Sequence, residues 1–186
     1  MKLSGLTKQK NNFVIHANKG LLLEEDINVT NEYYKVSDRA LIYKKPTPIK
    51  IVKVAYPNRN IAKITEAFFE KPSTLDYCGI YKGKYLDFDA KECNSMTSFP
   101  LSNIHKHQFE HIRGVLKFGG ISFIIVRFNL LDKTFVLFGE ELLYFVDNME
   151  RKSIPIEYFL EKAYVVELKY LPRLDYLNII DMYLIK

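Results

Sequence analysis

The stretch STLDYCGIYKGKYLDFDAKE, residues 73–92, decides how this chain is read. At its centre stands Lys82-Gly83, a dipeptide that suits a two-residue hairpin loop because glycine accepts positive φ. With that loop Tyr81 lies opposite Lys84 and, counting outward along the strands, Asp76 lies opposite Asp89. Opposed residues of an antiparallel pair hold their Cβ atoms roughly 4.5–5.5 Å apart, where like charges destabilise the sheet. A hard divalent cation resolves such a conflict, since magnesium and manganese take carboxylate oxygens. Strand alternation puts Tyr85, Asp87, Asp89 and Lys91 on one face and Leu86, Phe88 and Ala90 on the other. Lys91 then stands beside Asp89, placed to orient or deprotonate a water on the same metal.

A plainer reading stays open at this point, a surface hairpin with scattered charges. The acid-x-Lys tripeptide recurs at Glu150-Arg151-Lys152 and Glu167-Leu168-Lys169, so only the opposed carboxylate distinguishes the first copy. A loop longer than two residues would also shift the register.

Charge is distributed unevenly around this stretch. Arg39, Lys44, Lys45, Lys50, Lys53, Arg59 and Lys63 lie within residues 39–65, which contain no Asp or Glu, in a chain whose net charge is +5. A localised basic segment on an otherwise slightly acidic body points to an anionic partner, nucleic acid first, with a solvated basic face as the alternative. The strand-like runs RALIYKK and IKIVKVAYP flank Pro46-Thr47-Pro48, which predicts a basic hairpin projecting from the body.

The rest of the chain predicts one domain over residues 19–186, behind a loose arm at 1–18. Residues 20–36 read as an amphipathic helix with Glu24, Glu25 and Asp26 in its first turns. Residues 61–70 read as a short helix. NIHKHQFEHIRGVLKFGG reads as a helix stopped by Gly119-Gly120, ISFIIVRF and KTFVLF as strands, and EELLYFVDNM and PRLDYLNIIDMYL as helices. The alternation implies an α/β chain of the α+β kind, a mixed sheet flanked by helices.

Cys78 and Cys93 lack zinc or disulfide spacing and read as reduced thiols. His107 and His111 have the i, i+4 spacing of a zinc grip, but no glutamate follows His107, so solvated or DNA-facing histidines fit better. Phosphate-binding glycine loops and a nucleophile elbow are absent, which leaves metal-based chemistry for any hydrolase. No apolar run approaches the roughly 20 residues of a membrane span, and a soluble cytoplasmic protein is expected.

The blocks GLLLEEDINVTNEYY, KKPTPIKIV, YPNR, EAFFEKPSTLDYCGIYKGKYLDFDAKE, TSFPLSNIHKHQFEHI and PRLDYL resemble, in order and spacing, the RecU family of Holliday junction resolvases. The resemblance implies a restriction-endonuclease-like PD-(D/E)xK core, a homodimer, a magnesium requirement with manganese as the alternative cation, and symmetric cutting of four-way junction DNA. It implies a recombinase and a branch-migration helicase as working partners. It assigns Asp76, Asp89 and Lys91 to the metal site with Thr74 beside them, and adds Glu24 from the first helix and Gln108 from a later one. Asp76, Asp89, Thr74 and Gln108 are the metal ligands it implies. The basic segment, about residues 39–63, matches the family's protruding stalk.

Two departures stand out. The family usually carries glutamate at the position of Asp89 and a second threonine at that of Leu75. The competing readings are therefore a junction resolvase, a junction-binding and strand-pairing protein with an impaired nuclease site, and, last, a sequence-specific endonuclease.

Overall fold

A computed structural model describes residues 11–70 and 74–185, the side chains of residues 11–22 excepted. Along the chain run α1 (Asn11–Val36), β1 (Leu41–Lys44), β2 (Ile49–Asn58), β3 (Ile61–Phe69), β4 (Tyr77–Tyr81), β5 (Lys84–Cys93), β6 (Ser98–Pro100), α2 (Lys106–Lys117), β7 (Ile121–Phe128) and β8 (Lys133–Phe138). Then come α3 (Gly139–Asn148), β9 (Ser153–Pro155), α4 (Ile156–Lys162), β10 (Tyr164–Val166) and α5 (Leu177–Leu184). The main sheet has the strand order β1-β4-β5-β7-β8-β10. Only β5 and β7 are parallel within it, and their crossover carries α2. The expected mixed sheet flanked by helices is the fold observed.

The hairpin at the centre of the sheet has the register that its loop predicts. Tyr81 pairs with Lys84 and Tyr77 with Phe88. Lys82 and Gly83 have φ of 47° and 74°, both positive, as a type I′ turn requires. Lysine meets that requirement with outside help, because its Nζ reaches Asp181 at 2.6 Å. On the far side of β4, Gly79 lets β1 approach: a Cβ there would stand 2.3 Å from the Leu41 carbonyl oxygen and 2.6 Å from the Ile42 Cα.

Each face of the sheet buries its own core. On one side Tyr77, Phe88 and Phe123 stack at centroid distances of 4.9 and 4.6 Å, beneath Leu23, Ile27 and Tyr34 of α1 and Leu177 and Ile180 of α5. Such aromatic pairs add about 0.5–1.5 kcal/mol each beyond their buried area. On the other side Ile124, Val126, Phe135 and Leu137 meet Ile112 of α2, Phe145 of α3 and Phe159 of α4. Buried Asp26 of α1 is gripped by Arg127 at 2.7 Å and Arg173 at 2.9 Å, which ties the first helix to β7 and the C-terminal segment.

Three expectations are corrected. RALIYKK does not pair with IKIVKVAYP; β1 is an edge strand of the main sheet, paired with β4, and Pro46-Thr47-Pro48 is where the chain leaves that sheet. The hairpin partner of β2 is β3, so residues 61–69 are a strand and not a helix. Nearly every residue of this ribbon is exposed, so neither face imposes the strand period on the sequence. Finally, α1 begins at Asn11, so residues 11–18 of the expected arm are helical, and Glu24, Glu25 and Asp26 sit mid-helix. Residues 1–10 of that arm lie outside the described residues.

Candidate active site

β4 and β5 bring the two aspartates together as the hairpin arithmetic requires. Asp89 lies within β5, while Asp76 immediately precedes β4, opposite it in the extended register. Their environments differ. Asp76 is exposed, whereas Asp89 retains 1% of its accessible surface.

Asp89 is held from three directions. Its Oδ1 accepts the Ala90 N–H at 2.8 Å, and its Oδ2 faces the Lys91 ammonium at 2.8 Å and the Gln108 Nε2 at 2.5 Å. Burial pushes its carboxyl up to about 6; the Lys91 charge opposes that shift and the Asp76 carboxylate adds to it. Lys91 is thus the group that keeps a buried carboxylate ionised close to neutral pH.

Beneath them the Tyr77 hydroxyl is buried without a hydrogen-bond partner. It is held well above the ordinary tyrosine value by burial first, then by the charges of Glu24, Asp76 and Asp89. The charges of three carboxylates are therefore felt at one orphaned hydroxyl. Carboxylate oxygens are the hard donors that a hard divalent cation takes, and Asp76 and Asp89 are the residues that would hold it.

The remaining expected members are placed as follows. Thr74 stands two residues before Asp76, its hydroxyl donating to the Leu75 carbonyl at 3.2 Å. Leu75 is buried in the core under α2, so the position where the family carries threonine is an apolar anchor here. Gln108 is buried and donates to Asp89, but its Oε1 accepts the His105 N–H at 3.0 Å and caps α2. In this arrangement Gln108 braces the carboxylate with its amide nitrogen. Glu24 is paired with Lys44 at 2.5 Å.

The seven cations separate into two groups. Lys50, Lys53, Arg59 and Lys63 are exposed on the β2–β3 ribbon, and among the described residues no ion pair engages them. Arg39, Lys44 and Lys45 are instead paired with Asp175 at 3.2 Å, Glu24 at 2.5 Å and Asp87 at 2.6 Å.

The pattern of opposed aspartates did not point to Asp87, which is fully buried and accepts from Lys45 and from the Tyr85 hydroxyl at 2.5 Å. The signal was its place two residues before Asp89 on the same face; its partner Lys45 lies 42 positions away in sequence and leaves no local trace. His111 Nε2 faces Asp87 at 3.3 Å, while His107 stacks on His105 at 5.5 Å. Among the described residues no group of three or more His, Cys, Asp or Glu side chains gathers as a metal centre, and no helix is long and apolar enough to cross a membrane.

Comparison with known proteins adds lineage to this geometry. The family described as Recombination protein U matches residues 18–182. The Holliday junction resolvase RecU of Geobacillus kaustophilus (strain HTA426) is 47% identical over 169 residues, covering 89% of this chain and 84% of that protein. The Holliday junction resolvase RecU of Pediococcus pentosaceus (strain ATCC 25745 / CCUG 21536 / LMG 10740 / 183-1w) is 49% identical over 170 residues, covering 90% and 85%. Among solved structures, that of Archaeoglobus fulgidus Hjc, a Holliday junction resolvase from an archaeal hyperthermophile, overlaps with a TM-score of 0.43 at 12% identity, over 76% of this chain and 93% of that one.

Proposed function

Because the chain belongs to the RecU family of recombination proteins, we propose that it resolves four-way DNA junctions as a magnesium-dependent homodimer acting in the cytoplasm. The observation that carries this reading is the buried Asp89, clasped by Lys91 and set against Asp76, at the root of an exposed basic ribbon. Symmetric resolution needs two like strands cut, and each chain contributes one such carboxylate pair among its described residues, so two copies act on one junction.

The chemistry is phosphodiester hydrolysis. A water oxygen forms a bond to phosphorus and gives up a proton to solvent, the bond from phosphorus to the 3′ oxygen breaks, and its electron pair leaves with that oxygen, which takes a proton from solvent, giving 3′-hydroxyl and 5′-phosphate ends. A bound magnesium ion, with manganese as a substitute, supplies Lewis-acid charge at the phosphate when held by Asp76 and Asp89. Gln108 and the Ala90 N–H fix the Asp89 carboxylate in place. Lys91 keeps it ionised and presents a cation to the attacking water and to the charge that builds on the phosphoryl oxygens. Lys50, Lys53, Arg59 and Lys63 offer a ladder of phosphate contacts along the ribbon, which serves as the stalk that enters the junction centre.

The test is incubation of the protein with a labelled four-way junction and with linear duplex of the same sequence, in magnesium and in chelator. Paired cuts in opposed arms, only on the junction and only with magnesium, are expected. Tight junction binding with no cutting under any cation would replace this reading with a strand-pairing protein.

A further inference from the structure

Lys45 is tied to two parts of the molecule at once. β1 ends at Lys44, and the Lys45 N–H extends its ladder by one step, donating to the Asp76 carbonyl at 2.7 Å. Its ammonium turns inward to Asp87, at 2.6 Å, on the strand that carries Asp89. Directly after it, Pro46-Thr47-Pro48 leads into β2, and the ribbon closes at its root through the Glu70 N–H on the Pro48 carbonyl at 3.0 Å. A single residue thus joins the root of the ribbon to both strands of the catalytic hairpin.

The far side of Asp87 is equally engaged with the site. Its second oxygen faces the His111 Nε2 at 3.3 Å, and His111 sits one turn beyond Gln108 on α2. Asp87 Oδ1 and His111 Nε2 are both buried without a well-formed hydrogen bond. A buried ion pair contributes little net stability, since desolvation offsets attraction, but it admits few geometries. Lys45 is also a poor phosphate ligand as it stands: its side chain is only 20% exposed and its charge is already answered from inside the protein.

We propose that Lys45, Asp87 and His111 form a positioning cluster that locks the ribbon to the catalytic strands. The seat of the ribbon in a junction and the seat of the scissile phosphate at Asp76 and Asp89 are then set by one rigid unit. The proposal rests on the junction-resolving reading above for its functional consequence, but not for its structural one. Among the described residues Pro46, Thr47 and Pro48 at the ribbon root have no side-chain tie of their own to Asp87, so loss of Lys45 frees the ribbon to swing while its phosphate-binding cations remain.

Two measurements test it. The first is the distance between spin labels at Asn60 in the ribbon turn and Glu157 on α4, both exposed, read without DNA or metal; Cys78 and Cys93 are buried, which favours labelling at the introduced thiols. Wild type and Lys45→Arg should give one narrow distribution and Lys45→Met a broad one. Lys45→Met leaves Asp87 as an unpaired buried charge and is expected to be less stable; Lys45→Met/Asp87→Asn removes that charge and should restore the melting temperature while the distribution stays broad. A narrow distribution in the folded double variant would overturn the proposal.

The second measurement is junction cleavage by the same variants. Junction affinity should stay within about threefold while kcat falls ~10- to 100-fold, with cuts scattered around the normal position, because misplacement by about 1 Å has that cost. Lys45→Arg should recover most of kcat. Loss of affinity like that of Lys50→Ala, with kcat and cut position unchanged, would make Lys45 a phosphate contact and refute the cluster. A wild-type protein that cuts no junction would remove the proposed function, yet the label distances would still decide whether the lock exists.

Discussion

The Lys91 ammonium lies 2.8 Å from the Oδ2 of Asp89, and the two are neighbours on one face of β5. The pair explains how a carboxylate with 1% exposure remains useful. Burial and the Asp76 charge work against ionisation, and Lys91 works for it. Lys91→Met should therefore do two things. Cleavage should slow by about 10²–10⁴-fold, the range for loss of one positioned proton-transfer or charge-stabilising group. The magnesium concentration for half-maximal activity at fixed pH should rise, since Asp89 would hold its proton more tightly. A titration of rate against magnesium in both proteins measures both.

Asp89 is predicted to weaken the metal-free fold. Its carboxyl is raised to about 6 in the folded chain, above the roughly 4 of an unfolded aspartate, so the folded state binds the extra proton and favours the neutral form. The penalty is absent below pH ~4, grows as pH rises and is complete above about 6. Stability in chelator should fall over that window by an amount on the order of 1–3 kcal/mol, read as a lower melting temperature at about pH 7 than at about pH 4. Asp89→Asn should flatten the profile and, at pH 7, melt higher than wild type in chelator; equal melting temperatures at pH 5 and pH 7 in the wild type would contradict the assignment.

The ribbon cations should act through salt. Each phosphate contact on duplex arms adds about 0.9 to the slope of log affinity against log salt. Replacing Lys50, Lys53, Arg59 and Lys63 singly by glutamine should lower the slope for the junction, and far less for linear duplex, which the ribbon would not enter. Arg39→Gln breaks an internal pair with Asp175 and should lower stability while leaving the slope alone. Gel shifts at two salt concentrations separate these cases.

Much of the central sheet was legible because its signals are local. Lys82-Gly83 announced its own loop, and the loop determined the register that opposes Asp76 to Asp89. β7 and β8 showed as compact apolar runs because both of their faces are buried. The ribbon was not legible in the same way: Ile61, Ile64 and Phe68 recur at helical spacing, and with no core to satisfy, that spacing has no structural consequence. The partner of β1 is equally invisible, since Leu41 pairs with Ile80 far along the chain and nothing near Leu41 encodes the match. Asp87 was on view beside Asp89, but its meaning depends on Lys45 and His111, which only the fold brings to it.

Gly79→Ala tests how far the site depends on β1. Its Cβ would collide with backbone atoms of Leu41 and Ile42, which are not free to yield as a side-chain tip would be. Undocking of β1, with Lys45 attached to it, is expected, with a loss on the order of 1–3 kcal/mol by denaturant melt and a larger fractional loss of cleavage than of duplex binding.

The most direct test of the account is single-turnover junction cleavage by Asp76→Asn, with junction affinity measured in the same samples. Asp76 is exposed and no ion pair engages it among the described residues, so the substitution should leave the fold intact. Cleavage should fall below detection in magnesium while the junction is bound as tightly as by wild type, because the change removes a metal ligand and no phosphate-binding cation. Cutting by Asp76→Asn at the wild-type rate would show that the opposed aspartates are not the site of hydrolysis.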